Sequence, residues 1–295
     1  MIDTSVRTLV SEVTALLEPF YESGMQAQTV AWWLLSGITK KSKTRLIVDI
    51  YVVLSQDQRT QLAHWIELHT KKHYPLQYLL GFVPFGPLEI LVEAPTLIPR
   101  PETEEWCASL LSYLEPVTSQ PLRILDMCTG SGCIALWFAK IFPNATVYGV
   151  DIADTALTLA KKNAAYNNIT NVHFLKSDLF TLLNQDTPFD LIVANPPYIS
   201  PDVWSELSPT VAHWEDRGAL VAGDQGLELI RKITAQAPFY LTKKSPLTAH
   251  GFPRLVMEIG YDQAEETRKL FIEAGFGTVK VLTDSAGRDR VVSGW

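Results

Sequence analysis

Residues 123–135 read RILDMCTGSGCIA: a strand-like run, a turn holding Gly130 and Gly132, and an apolar stretch that continues as a helix. A strand that passes through a glycine turn straight into a helix opens a βαβ unit and predicts a parallel sheet. The alternation continues to the end of the chain. Further strands are expected at TVYGVD (146–151), NVHFLKSD (171–178), FDLIVAN (189–195) and RLVMEIG (254–260), with TVKVLTD and DRVVSGW as a closing pair. Helices are expected from Gly132 and over DTALTLAKKNAAYNN, GLELIRKITAQ and QAEETRKLFIEAG. The expected class is α/β: a mostly parallel seven-stranded sheet, covered on both faces and ending in an antiparallel edge.

Upstream the texture differs. VRTLVSEVTALLEPF, AQTVAWWLLSGI, TRLIVDIYVVL and RTQLAHWIELHTKKH repeat apolar residues at i, i+3 and i+4, which predicts a small all-α domain over residues 1–74. From Pro75 to Pro101 the run PLQYLLGFVPFGPLEILVEAPTLIPRP is broken by Pro and Gly into short apolar pieces. It predicts a hairpin-bearing linker over 75–100, leaving 101–295 as the α/β domain.

Composition narrows the function classes. The best membrane candidate, LIVDIYVVL, is short and carries Asp49, and the N-terminus lacks the basic-then-apolar layout of a signal peptide, so a cytoplasmic protein without membrane contact is expected. Cys107, Cys128 and Cys133 form no C-x-x-C pair, and His64, His69 and His73 lie near one helical face with no companion ligands. Reduced thiols, a solvated helix face and no metal site are expected. Residues 1–74 hold 8 basic and 7 acidic side chains, whereas residues 75–295 hold 17 and 25. The acidic part argues against direct contact with nucleic acid. The near-neutral part, with its Trp32–Trp33 pair, suits protein contact better. Trp204 and Trp214 are assigned to packing.

In a sheet of this kind ligands bind beyond the carboxyl ends of the strands. Three of those ends carry Asp126, Asp151 and Asp178. Gly130-x-Gly132-x-x-Ala135 followed by Asp151 also fits a dinucleotide fingerprint. Charge separates the two readings: Asp126, expected beside the helix N-terminus, would repel a pyrophosphate, whereas S-adenosylmethionine has no phosphate and carries a sulfonium and an ammonium, near which Asp126 is favourable. Asp151, closing the second strand, is placed to accept hydrogen bonds from both ribose hydroxyls.

The fourth strand ends in Asn195-Pro196-Pro197-Tyr198. Amide and exocyclic amine nitrogens are poor nucleophiles because their lone pair is delocalised. If the Asn195 oxygen and the Pro196 carbonyl each accept an N–H of a substrate NH₂, the nitrogen is drawn toward a tetrahedral geometry with its lone pair free. The two prolines fix φ and offer no competing donor, and Tyr198 offers a ring face to a planar group. This motif suits methylation of planar nitrogens without naming the substrate.

Several stretches together resemble the peptide chain release factor glutamine methyltransferases: PLQYLLG (75–81), LIPRPETE (97–104), DMCTGSGCIAL (126–136), VDI (150–152), SDLF (177–180), NPPY (195–198), MEIGYDQ (257–263) and AGRDRVVSG (286–294). The resemblance implies a helical substrate-docking domain joined to a class I, Rossmann-like, methyltransferase domain that uses S-adenosylmethionine. The reaction it implies is methyl transfer to the side-chain amide of the Gly-Gly-Gln glutamine of class 1 release factors, in support of translation termination. By position it implies that Cys128, Thr129, Gly130, Ser131, Gly132 and Asp151 hold the cofactor, that Leu179 packs near its adenine, and that Asn195, Pro196, Pro197 and Tyr198 hold the glutamine; the strand-end acids Asp126 and Asp178, with Asn195, complete the expected cofactor site. Arg100, Glu102 and Thr103 would form a lid near the cofactor's methionine end. Cys128 stands where the family commonly has glycine, and Leu179 where some members have an aromatic residue. The main rival is an adenine amino methyltransferase acting on a flipped base of DNA or RNA. An NAD-dependent oxidoreductase rests on the glycine pattern alone, and a non-enzymatic binding module leaves the Asn195–Tyr198 group unexplained.

Overall fold

A computed structural model describes residues 4–114 and 119–295. The chain divides into two compact units: one running to Gly81 and including Ser208–Trp214, the other made of Phe82–Leu207 and Glu215–Trp295.

The first unit contains β1 (Thr4–Ser5), α1 (Val6–Leu17), α2 (Gly24–Thr39), α3 (Lys43–Asp49), β2 (Tyr51–Val52), α4 (Gln56–Lys72) and α5 (Leu76–Leu80). Ser5, Ser23, Ser42 and Ser55 each cap a helix by accepting a backbone N–H from three residues on, and Gln58 completes a capping box with Ser55. Leu9, Val13, Leu17, Leu34, Leu35 and Trp65 close the core between the helices.

Four features depart from the expected pattern. TRLIVDIYVVL is not one helix: α3 stops at Asp49, Ile50 turns to φ 57°, and Tyr51 and Val52 pair with Ser5 and Thr4. A β-branched run is a weak helix former, and the short ladder uses it better. The second departure is the unit's end at Gly81 instead of Tyr74, because Leu76, Leu79 and Leu80 pack on the helical core and Gly81 caps the helix at φ 84°. Third, the Trp214 indole donates to the Lys72 carbonyl (3.0 Å) and meets Tyr74 edge-on, which makes residues 208–214 part of this unit. His69 is likewise no solvated side chain: it is bonded to the Tyr21 hydroxyl and the Tyr74 carbonyl, and burial lowers its pKa.

The second unit opens with the hairpin β3 (Phe82–Phe85) and β4 (Leu88–Leu91), then α6 (Pro101–Leu114). The βα series follows: β5 (Arg123–Met127), α7 (Cys133–Ile141), β6 (Thr146–Asp151), α8 (Asp154–Tyr166), β7 (Val172–Lys176) and β8 (Leu191–Ala194). After the short α9 (Pro209–Ala212) of the first unit come α10 (Glu228–Tyr240), α11 (Pro246–Ala249), β9 (Leu255–Glu258), α12 (Ala264–Glu273), β10 (Val279–Thr283) and β11 (Asp289–Gly294). Helix α6 is absent from the alternation read in the sequence. It starts at Pro101, whose fixed φ suits a first helical position, with Glu102 and Glu104 in the first turn.

The sheet order is β10-β11-β9-β8-β5-β6-β7. Strands β5 to β9 pair in parallel, and β11 lies antiparallel between β9 and β10, so the reversed strand is one place in from the edge. Strands β5 and β8 are neighbours, with Met127 opposite Ala194. This is the switch point of the sheet, and it sets the turn after β5 beside Asn195–Tyr198. All four residues of β8 are buried, as both faces are covered. Leu125, Met127, Ile192, Leu255, Ile230 and Phe271 belong to the core that fixes these strand ends.

No described helix is long and apolar enough to cross a membrane, and no described group of His, Cys, Asp and Glu is arranged to hold a metal ion.

Candidate active site

A pocket opens at the carboxyl ends of β5, β6 and β8. Asp151, Asp178 and Asp216 line it, and among the described residues no Lys, Arg or His does. Leu97, Ile152, Leu179 and Leu229 supply apolar wall. A phosphorylated ligand would meet three carboxylates with no cation to offset them, whereas a phosphate-free ligand with positive charge is favoured. S-adenosylmethionine fits that chemistry and a dinucleotide does not. Asp216 carries no signal in the sequence, since it ends no strand. It is held by its N–H on the Pro95 carbonyl (2.7 Å) and by the Gly218 N–H on its own Oδ1 (2.8 Å).

The turn after β5 separates the expected cofactor residues into two groups. Cys128 and Gly130 line the pocket. A Cβ at Gly130 would meet no atom within 4 Å, whereas one at Gly132 would approach the Ala160 Cβ to 3.0 Å. The first glycine therefore leaves room for a ligand and the second allows helix α8 to pack. Thr129 and Ser131 are buried in the turn: Thr129 donates its hydroxyl to Asp126, and Ser131 offers its carbonyl to Asn163. The Asp151 carboxylate closes the turn from β6, accepting the Gly130 N–H on Oδ2 (2.8 Å) and the Ala153 N–H on Oδ1 (2.9 Å).

Asp126 does not face the pocket as the sequence leads one to expect. It is 0% exposed and does not line the pocket. Its Oδ2 accepts from Thr129 (2.5 Å) and from the Ala135 N–H (3.0 Å), while Oδ1 has no partner. Burial raises its pKa to about 7. Asp126 braces the turn from beneath, and the negative charge facing a ligand comes from Asp151, Asp178 and Asp216.

Cys128 and Leu179 both adopt positive φ, 61° and 46°. A side chain costs about 1–2 kcal/mol in that region, which explains glycine as the easier residue at position 128. Cys128→Gly should stabilise the protein by about 1 kcal/mol and raise the melting temperature by about 2–4 °C. Calorimetric unfolding checks it, and a lowered melting temperature would contradict the strain.

Asn195 and Pro197 line the same pocket, and Pro196 between them is buried. The chain beyond is locked by Ile199, whose N–H donates to Leu220 (2.9 Å) and whose carbonyl accepts from Ala222 (3.0 Å). The Tyr198 carbonyl accepts from Gln263 Nε2 (2.9 Å). Gly226 lies so close that a Cβ there would fall 2.0 Å from that carbonyl. The Tyr198 hydroxyl donates to Glu258 Oε1 (3.3 Å), and burial raises its pKa, so it stays a neutral phenol. Glu258, 1% exposed, also accepts from the Thr103 hydroxyl (2.7 Å) and the Trp106 indole (2.8 Å) on Oε2. Burial raises its carboxyl, and these two donors oppose that shift. Asn195 Nδ2 donates to Thr103 Oγ1 at 3.2 Å.

Arg100, Glu102 and Thr103 do not form the pocket wall; Thr96 and Leu97 do. Arg100 is paired with the buried Glu215 at 2.8 Å, which fixes the segment. Thr103, 1% exposed, faces Asn195 and Glu258. Glu258, Gln263, Glu215 and Asp216 lie outside the set of site residues expected from the sequence. The first had a signal, since Glu258 closes the strand RLVME as Asp151 closes TVYGVD.

Two family models match parts of this chain. A family model described as the PrmC N-terminal domain matches residues 9–81, and one described as a methyltransferase domain matches residues 119–237. The release factor glutamine methyltransferase of Thermodesulfovibrio yellowstonii is 36% identical over 259 residues, covering 88% of this chain and 89% of the relative. That of Aliivibrio fischeri is 38% identical over 273 residues, with 92% of each covered. Among solved structures, the hMettl16 catalytic domain in complex with MAT2A 3'UTR hairpin 6 is similar in fold, with a TM-score of 0.51, 15% identity and coverage of 81% and 82%.

Proposed function

The chain belongs to the release factor glutamine methyltransferases, and from that premise we propose that it methylates the side-chain amide nitrogen of the Gly-Gly-Gln glutamine in class 1 peptide chain release factors. Its second unit has the class I methyltransferase fold, and S-adenosylmethionine is the methyl donor. When bound, that cofactor supplies an electrophilic methyl group on a sulfonium.

The chain's own residues do the rest. Asp151 would accept the ribose hydroxyls, Asp178 and Leu179 would border the adenine, and Cys128 and Gly130 would pass under the cofactor. Asp126, Thr129, Ser131 and Gly132 would hold the turn. The Asn195 oxygen and the Pro196 carbonyl would accept the two N–H groups of the glutamine amide while Tyr198 supports its plane. Positive charge grows on the nitrogen during transfer, so acceptor oxygens stabilise the transition state more than the ground state. No strong base is needed, because the alkylated nitrogen becomes acidic and releases its proton. The helical unit would hold the release factor, and the setting would be cytoplasmic.

One observation carries this reading: Asn195 and Pro197 share a pocket with Asp151 and Asp178, so the amide-binding turn and the cofactor-binding acids face one space. Mass spectrometry of a release factor incubated with the protein and S-adenosylmethionine should find one methyl on the Gly-Gly-Gln glutamine. Methylated adenine in added DNA or RNA, with the glutamine unmodified, would overturn the assignment.

A further inference from the structure

We propose that Glu258 and Thr103 form a relay that sets the direction of the Asn195 amide, so that its oxygen and not its nitrogen faces the substrate. The inference rests on the functional reading above and names two positioning residues for it. It follows from counting protons. Glu258 is met by three donors, the Thr103 hydroxyl, the Trp106 indole and the Tyr198 hydroxyl, at 2.7, 2.8 and 3.3 Å. An indole N–H can only donate, and a carboxylate can only accept, so Oε2 takes the single hydroxyl proton of Thr103. What remains on Thr103 Oγ1 is lone pairs. Asn195, 3.2 Å away, can then approach Thr103 only with its NH₂. The amide oxygen is left on the opposite side, with no hydrogen-bond partner among the described residues, in a residue that lines the pocket.

Without the carboxylate, the Thr103 proton is free to turn toward Asn195. The amide then gains by rotating its oxygen onto Thr103 and its NH₂ into the pocket, where two donors would face a substrate NH₂. That orientation binds the substrate amide in the wrong sense and cannot localise its lone pair. The same acid steadies the far end of the motif through the Tyr198 hydroxyl, while Gln263, five residues on, holds the Tyr198 carbonyl. The MEIGYDQ stretch thus acquires a role that its sequence alone does not state.

The test uses the full-length protein with a release factor, steady-state kinetics, S-adenosylhomocysteine calorimetry and thermal unfolding. Thr103→Val, which keeps the shape and removes the hydroxyl, should lower the turnover number about tenfold. The Michaelis constant for the factor and the S-adenosylhomocysteine affinity should stay within about twofold. Thr103→Ser, which restores the hydroxyl, should recover most of the rate. Glu258→Met should resemble Thr103→Val, and Glu258→Gln, which keeps a carbonyl acceptor for Thr103, should be much less affected. The double variant Thr103→Val/Glu258→Met should lose no more than the worse single variant, because both act on one amide. Wild-type turnover in Thr103→Val, or multiplicative losses in the double variant, would overturn the relay. If Glu258→Met does not fold, the Thr103 pair decides alone. Wild-type activity on the factor, measured in the same assay, reports separately on the functional reading, whereas the relay concerns the ratio of variant to wild type.

Discussion

Asn195→Ala should lower the turnover number for a release factor by roughly 10²–10³, the typical loss of one preorganised electrostatic contact. The effect should fall on the chemical step. The oxygen lost is one of two acceptors for the substrate NH₂, and its contact strengthens as positive charge develops on nitrogen. Cofactor binding should change little, because the pocket's carboxylates and the turn after β5 stay in place. The loop should keep its shape as well: it is held by Ile199, by Gln263 and Glu258 on Tyr198, and by Gly226 beneath, none of which depends on the Asn195 side chain. Asn195→Asp retains an acceptor but sets a carboxylate against the lone pairs of Thr103 Oγ1. Its rate should therefore lie between alanine and wild type. A fully active Asn195→Ala protein would sink the mechanism.

How far the sequence reached follows from which contacts are local. The βα alternation, the strand-end acids Asp151 and Asp178, and the proline-fixed turn at Asn195 are set within a few residues of chain, and each is visible as a string. Asp126 shows where that reading stops. A strand-end position is easily seen, but burial beneath the turn is a property of the packed core, so a residue expected to face the ligand instead braces Thr129 and Ala135. The support of Asn195 was less visible still. Thr103 is 92 residues from Asn195, and Glu258 is 155 residues from Thr103, so no local pattern joins them. Helix α6 brings Thr103 to the site, and its Pro101 start interrupts the strand-helix rhythm that organised the reading. Asp216 and Glu215 arrive on an irregular segment with no periodicity to announce them. In the helical unit, the i, i+3, i+4 pattern of TRLIVDIYVVL was real, yet the β-branched run gave way to a two-residue ladder.

Asp151→Ala should weaken S-adenosylhomocysteine binding by about 1.5–3 kcal/mol, the range for hydrogen bonds to a charged acceptor, or roughly 10–150-fold in affinity. S-adenosylhomocysteine isolates the hydrogen bonds. It lacks the sulfonium charge, so the loss reports hydrogen bonding at the ribose and not attraction to the methyl donor's positive sulfur. Two contributions act in the same direction. Each Asp151 oxygen already accepts one backbone N–H, from Gly130 and from Ala153, and a carboxylate oxygen can accept a second donor. Removing the side chain takes away those second sites. It also frees the Gly130 N–H, in a turn that already holds Cys128 at φ 61°. Asp151→Asn should lose less, because one oxygen can still accept, although its NH₂ then faces a backbone donor. NAD should not displace S-adenosylhomocysteine from the wild-type pocket, since its pyrophosphate would meet carboxylates with no cation beside them. Titration calorimetry measures both. Unchanged affinity in Asp151→Ala would remove this residue from the cofactor site, and displacement by NAD at comparable concentration would mean that the acids do not set the pocket's selectivity.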